Sequence, residues 1–208
     1  MTQVVLATRN AHKVEELREI LADVSADLGL EIVGLDGFPD APDVVEDGVT
    51  FEQNAILKAA SAAHVTGLPA LADDSGLAVD VLGGSPGVFS ARWAGRHGDD
   101  RANLELLLAQ LGDVPDDERA AAFVCAAVLA LPSGEVVVEE GRMPGRLARE
   151  PRGANGFGYD PILVVEDGRT AAELSPEEKN SISHRGIAFR ALAPHVRLAL
   201  KRTAGLNR

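Results

Sequence analysis

The chain has 208 residues, 46% hydrophobic and 25% charged, a globular balance long enough for one core or for two lobes around a cleft. Its formal net charge of -12 argues against broad nucleic-acid binding, which needs clustered Lys and Arg against phosphates. A single small polyanion stays admissible if a local basic pocket or a bound cation reverses the field. There is no apolar run of about 18 residues and no basic-then-apolar leader, so no membrane segment is expected and the default location is cytoplasmic.

Val4 to Ala7 reads as a short buried strand, and Val14, Leu17, Ile20, Leu21 and Val24 follow at helical spacing. The segment Thr8-Arg9-Asn10-Ala11-His12-Lys13 is therefore a strand-to-helix junction. Such junctions offer free backbone N–H groups and the positive end of a helix dipole, both suited to phosphate. Glu31 to Leu35 predicts a second strand. Asp36 to Gly48 holds two prolines and five carboxylates and reads as a loop. Thr50 and Gln53 fit a capping box for an alanine-rich helix from Phe51 to about Val65. An apolar strand, Leu68 to Ala72, then runs into Asp73-Asp74-Ser75-Gly76, with a weaker strand signal over Leu77 to Val81.

Gly83 to Gly87 predicts a turn, and Leu104, Leu107, Leu108 and Leu111 mark a helical stripe. Ala121 to Leu131 reads as a strand that contains Cys125, the only cysteine, as a buried filler. Pro132-Ser133-Gly134 turns it into Val136 to Val138, the second arm of a hairpin. A final helix is expected over Ile187 to Arg202. The pattern predicts one α/β domain spanning residues 1–208, a mixed sheet with flanking helices. Its two lobes, built from non-contiguous segments, would surround a central substrate cleft.

Three constellations can carry chemistry. Thr8, Asn10 and Lys13, with Lys58 on the capped helix, offer hydroxyl, amide and ammonium groups to phosphate oxygens. The same residues also suit a plain turn with solvated lysines, since the glycine-rich cradle of a P-loop is absent. Glu46 and Asp73-Asp74-Ser75 can supply carboxylate oxygens to Mg²⁺ or form a solvated loop. Neighbours in a strand point oppositely, so one aspartate is expected to face inward and the other to cap or bond backbone. Asn155-Gly156-Phe157-Gly158-Tyr159-Asp160-Pro161 places rings in a chain where aromatics make up only 4%. Phe157 can stack on a base while Lys179, His184 and Arg185 donate to its edge. Alternatively, Phe157 and Tyr159 pin a hairpin, and His184 and Arg185 cap the last helix.

Taken in order, Thr8–Lys13, Phe51–Ala59, Ala72–Leu77, Pro86–Arg92, Phe157–Pro161 and Ser183–Gly186 resemble the non-canonical purine NTP pyrophosphatases, also called inosine or xanthosine triphosphate pyrophosphatases. The resemblance covers almost the whole chain and implies an elongated form of the mixed α/β fold with its two lobes. It implies a Mg²⁺-dependent hydrolysis of ITP, dITP and XTP to the monophosphate and pyrophosphate, cleansing the nucleotide pool, by a homodimer. It implies Glu46 and Asp74 as metal ligands and Asp74 as proton acceptor. Thr8, Arg9, Asn10, Lys13, Lys58, Ser75, Phe157, Gly158, Tyr159, Asp160, Lys179, His184 and Arg185 are implied as substrate contacts. Three positions depart from the pattern. Arg9 stands where relatives often have a small residue, and either adds a phosphate contact or points outward. Gln53 replaces a frequent glutamate, and Trp93 replaces a frequent tyrosine. Two other readings fit the residues less fully: a pyrophosphatase for canonical or pyrimidine nucleotides, and a nucleotide-binding regulatory module without hydrolysis.

Overall fold

The structure is a computed structural model that describes residues 2–9 and 11–206. Six strands form one mixed sheet in the order β2-β1-β3-β4-β5-β6, with helices connecting them. They are β1 (Thr2–Leu6), β2 (Leu30–Gly34), β3 (Ala70–Val79), β4 (Ala120–Ala130), β5 (Val136–Leu147) and β6 (Leu163–Val164). The chain divides into two compact units. Residues 1–74, 126–141 and 185–208 form the first, and residues 75–125 and 142–184 form the second.

In the first unit β1 pairs in parallel with β2, from Thr2↔Leu30 to Leu6↔Gly34. It also pairs in parallel with β3, through Val5↔Ala70 and Leu6↔Leu71. The single helix expected over Val14 to Val24 is two helices, α1 (Ala11–Ile20) and α2 (Ala22–Leu28), broken at Leu21 with φ -99 and ψ 16. Leu17, Leu21 and Val24 are all buried, so the apolar stripe continues across the break. Helix α3 (Phe51–Thr66) starts where Thr50 accepts a hydrogen bond from Gln53 N. Gln53 Oε1 in turn accepts from Val49 N at 2.8 Å, one residue before the usual capping-box partner. Ala55, Ala59, Ala62 and Ala63 of α3 pack on Val5, Ala70 and Ala72 of the sheet. Small side chains on both surfaces let helix and sheet approach closely. The unit also contains α6 (His184–Leu206) from Arg185 onward.

The second unit has its own core of Leu77, Val79, Leu104, Leu107, Leu111, Phe123, Met143, Leu147, Tyr159 and Ile162. The Leu104 to Leu111 stripe belongs to α4 (Asp100–Gln110), capped by Asp99. Buried Arg119 braces this core by donating to the carbonyls of Leu111, Leu147 and Ala148. Strand β3 does not stop at the aspartates but continues through them to Val79. Helix α5 (Pro176–Ile182) was not anticipated, although Ser175-Pro176-Glu177-Glu178 carries its start signal. Cys125 is buried, as expected of a filler.

Candidate active site

The parallel strands position the first half of the site. Strand β1 lies between β2 and β3, so the chain leaves it toward one neighbour and later returns along the other. In parallel α/β sheets such a reversal opens a crevice at the carboxyl ends of the strands, where ligands bind. Here that end carries the Thr8–Lys13 junction after β1 and Asp73-Asp74 on β3. Asn10 lies outside the described residues. Thr8 is half-buried, and Lys13 sits on α1.

Alternation along β3 sends the two aspartates into different surroundings. Asp73 is 6% exposed and meets Lys13 Nζ at 3.3 Å and both Nε and Nη2 of Arg185 at 3.1 Å. Arg185 is itself buried and spends its Nη1 on Glu16 Oε2 at 2.8 Å. Burial alone would raise the Asp73 carboxyl, but Lys13, Arg185 and Lys58 hold it well below the usual range. Of the expected pair, one inward and one capping or backbone-bonding, Asp73 is the inward carboxylate. It is the centre of a charged cluster, because two cations converge on the face to which it points.

Asp74 joins a second cluster. Its Oδ1 lies 3.4 Å from Lys58 Nζ, and its Oδ2 accepts from Asn54 Nδ2 at 3.1 Å. Lys58 Nζ also donates to Glu46 Oε2 at 3.0 Å. Glu46 and Asp74, 28 residues apart in sequence, thus meet on one ammonium group. Burial pushes the Asp74 carboxyl up, and Glu46 and Asp73 add to this against the pull of Lys58 and Asn54. Burial would depress the Lys58 ammonium, but Asp74, Asp73 and Glu46 hold it above the ordinary lysine range. The arrangement fits Mg²⁺ in donor chemistry, since both converging groups are hard oxygen donors already facing a cation. Among the described residues no group of three or more His, Cys, Asp or Glu can hold a metal. Two carboxylates suffice for Mg²⁺, which usually keeps waters and takes substrate phosphates as its remaining ligands.

A cavity of about 320 Å³ adjoins this cluster, lined among others by Thr8, Arg9, Asp43, Glu46, Lys58 and Ser61. Arg9 neither points freely outward nor presents all its donors to that space. Its Nη2 donates to Ala41 O at 2.7 Å and its Nη1 to Leu35 O at 3.3 Å. Gln53 keeps the acceptor that a glutamate would offer and uses it on Val49 N, so the missing charge leaves the helix start intact.

The second unit holds the remaining candidates. The two rings of the Phe157–Pro161 segment part company: Phe157 is 65% exposed, whereas Tyr159 is 4% exposed and donates its hydroxyl to Ser90 O at 2.9 Å. Tyr159 therefore does the pinning, and burial raises its hydroxyl above the usual tyrosine range. Asp160 lies inside the loop, where its Oδ2 accepts from Phe157 N at 2.8 Å and from Lys179 Nζ at 2.6 Å. Gly156 has φ +76, and a Cβ there would overlap the Asp160 carboxylate. Lys179, on α5, stands 5.4 Å from the Phe157 ring centroid, so an ammonium flanks an exposed aromatic face. Gly158 N donates to Asp100 Oδ2 at 2.9 Å. His184 is buried and stacked on Phe123 at 5.1 Å. Ser75 is half-buried beside Gly76, where a Cβ would overlap Ser90 Oγ, so this glycine lets the Pro86–Arg92 segment close on the strand. Trp93 donates its indole N–H to Gln110 at 2.8 Å.

Sequence reasoning gave no role to Asn54, Glu16 or Asp100. Asn54 precedes Lys58 by four residues and Glu16 follows Lys13 by three, spacings that put each pair on one helix face. That signal was readable. The Asp100 bond joins residues 58 apart and left no local trace.

Comparison with known proteins places the chain in a family. Residues 4–195 match the Ham1 family. The chain is 64% identical to a dITP/XTP pyrophosphatase of Streptomyces avermitilis, over 95% of this chain and 98% of the relative. It is 55% identical to one of Mycobacterium tuberculosis, over 95% and 96%. The solved HAM1 protein of Coxiella burnetii superposes with a TM-score of 0.86 at 45% identity, covering 94% of this chain and 98% of that one. The nucleoside-triphosphatase/dITP/XTP pyrophosphatase of Mycobacterium abscessus gives 0.78 at 54% identity, covering 93% and 100%. With its fold and nearly its whole length in common with these proteins, the chain belongs to the Ham1 family.

Proposed function

We propose that this protein hydrolyses non-canonical purine nucleoside triphosphates (ITP, dITP and XTP) to the monophosphate and pyrophosphate. The supporting observation is the meeting of Glu46 and Asp74 on Lys58, beside Lys13 at the carboxyl end of the parallel strands. The M. tuberculosis and S. avermitilis relatives, dITP/XTP pyrophosphatases, favour dITP and XTP among these substrates.

Glu46 and Asp74 would hold Mg²⁺, which when bound supplies charge neutralisation on the triphosphate and favours ionisation of water. Lys13 and Lys58 donate to phosphate oxygens and offset the charge that builds on the leaving group. Asp74 accepts the proton of the attacking water. Water adds its oxygen to the α-phosphorus, the bridge to the β-phosphorus breaks, and pyrophosphate departs.

Hypoxanthine and xanthine carry a 6-keto acceptor where adenine carries an amino donor. Donors from Lys179 or His184 favour the keto bases, because a buried donor left unpaired is costly, whereas Arg185 is committed to Asp73 and Glu16. Guanine shares the keto group, so its rejection requires exclusion around the 2-amino group. The exposed ring of Phe157 is the stacking face in this reading. No helix among the described residues is long and apolar enough to cross a membrane. We place the protein in the cytoplasm as a homodimer, a state that sedimentation at several concentrations checks.

The deciding experiment is a Mg²⁺-dependent product assay over ITP, dITP, XTP, GTP, ATP, dTTP and UTP. Pyrophosphate with monophosphate, at highest kcat/KM for the first three, is the expected result. Release of inorganic phosphate with diphosphate would refute the cleavage site. A preference for a canonical base would refute the assigned substrate.

A further inference from the structure

The loop from Phe38 to Val49 carries Glu46, and its apolar anchorage is confined to its start, where Phe38 packs against the core and Ala41 is buried. It contains no helix or strand, and its Val45 and Val49 side chains are each 78% exposed. Open space lies beneath it, the cavity bounded by Pro42, Asp43, Val44 and Glu46 on one side and by Thr8 and Lys58 on the other. Tethers therefore decide where Glu46 stands. Among the described residues, side chains fasten this loop at four places. Arg9 grips its start, Lys58 holds Glu46, and Asn54 and Gln53 accept from Gly48 N and Val49 N.

Three of these tethers come from α3, and two of the three bear on Asp74 or Glu46 directly. Arg9 alone comes from the β1–α1 junction. Its planar fork spans Leu35 O and Ala41 O, while its 3.5 Å pairing with Asp43 adds little because Asp43 is 96% exposed. Ala41 is buried, and its N–H bonds Phe38 O at 3.0 Å, so the fork closes on a fixed point just before the span that leads to Glu46. A side chain that spends two nitrogens on backbone carbonyls is organising protein, with little left to grip phosphate.

We propose that Arg9 is a positioning residue, a latch that ties the phosphate-binding junction to the acidic loop and so holds Glu46 where it and Asp74 both meet Lys58. The inference rests on the reading of Glu46 and Asp74 as the metal carboxylates. It gives Arg9 a role other than the substrate contact that its place in the junction implies. Losing a charge-assisted bond to a carbonyl predicts roughly a tenfold effect or more on the local equilibrium.

The test compares wild type with Arg9→Ala, Arg9→Lys, Glu46→Gln and Asp74→Asn, all free of nucleotide. Hydrogen–deuterium exchange across residues 39–47 reports the loop, and Mn²⁺ titration followed by electron paramagnetic resonance reports the metal site. Arg9→Ala is expected to speed exchange in this segment and to weaken Mn²⁺ binding by roughly tenfold, with the melting temperature little changed. Arg9→Lys keeps the charge but cannot span both carbonyls, and is expected to behave as Arg9→Ala. Wild-type exchange in Arg9→Ala, or full rescue by lysine, would overturn the latch. If Glu46→Gln and Asp74→Asn bind Mn²⁺ as wild type does, the metal reading itself falls and the inference falls with it. If those two weaken while Arg9→Ala does not, only the latch is lost.

Discussion

Asp73 and Asp74 are chemically identical neighbours, and the two faces of β3 give them opposite work. Asp73 faces Lys13 and Arg185, is almost sealed from water, and is driven firmly to its ionised form. Asp74 faces Lys58, Asn54 and Glu46, keeps more contact with solvent, and holds its proton more readily than a free aspartate. A carboxylate locked in its charged state between two cations is a structural clamp. One near a second carboxylate, with its pKa pushed up, can exchange a proton and share a cation. Position on a strand, more than residue type, separates scaffold from chemistry here.

Substitutions can break this contrast. The largest effect is expected from Asp74→Asn, which should lower kcat by about 10³-fold, within the usual range for removing a general base, while nucleotide binding persists. Steady-state turnover set against equilibrium binding of a non-hydrolysable nucleotide measures the split. Near-normal kcat would remove Asp74 from its proposed role.

Asp73→Asn should act first on stability. It leaves Lys13 and buried Arg185 without their shared carboxylate, a loss of about 3 kcal/mol by analogy with other broken buried pairs. In a chain of this size that corresponds to roughly 6–12 °C in melting temperature. The pH dependence fixes the cause. Asp73 has a folded pKa below its unfolded value, so its contribution is complete above about pH 4 and fades as pH falls toward the folded pKa. The gap between wild type and Asp73→Asn should therefore narrow in acid. Denaturant melts from pH 7 down to pH 3 measure this, and a gap that stayed constant would mean that the charged pairs are not its source.

A smaller effect is expected in the other unit. Asp160→Asn weakens the hold on Lys179 and the Phe157 loop, and should raise KM for ITP by about tenfold with a lesser change in kcat. A fall in kcat with unchanged KM would place Asp160 in the chemistry instead. The smallest effect belongs to Thr50→Ala, which removes the α3 cap at a cost of about 1 kcal/mol. Because α3 carries Asn54 and Lys58, the same variant should loosen the Asp74 side of the contrast more than the Asp73 side, visible as faster amide exchange near Gly48.

Much of this was legible before any fold was known. The Thr50 cap, the alanine face of α3, the strand through Cys125 and the Leu104 stripe all follow from local pattern, because propensity and periodicity act over a few residues. Less legible were the break at Leu21, where the apolar stripe continues through both helices, and the persistence of β3 through two aspartates, which need cations from distant segments to remain buried. The part of β5 beyond Val138 was hidden by Gly141, Pro144 and Gly145, whose local preferences oppose the strand that its neighbours impose.

The amino-acid sequence by itself determined the family, most of the elements, and the basic and acidic residue types that gather at the ends of the parallel strands, since these are carried by ordered motifs and short-range periodicity. Only the tertiary structure decided that Glu46 meets Asp74 on Lys58, that Arg185 belongs to Asp73, and that Tyr159 is buried while Phe157 is exposed. Those outcomes depend on which distant cations, carbonyls and apolar surfaces are brought within a few ångströms. Electrostatic energy and burial respond to distance in space, which the order of residues along a chain does not state.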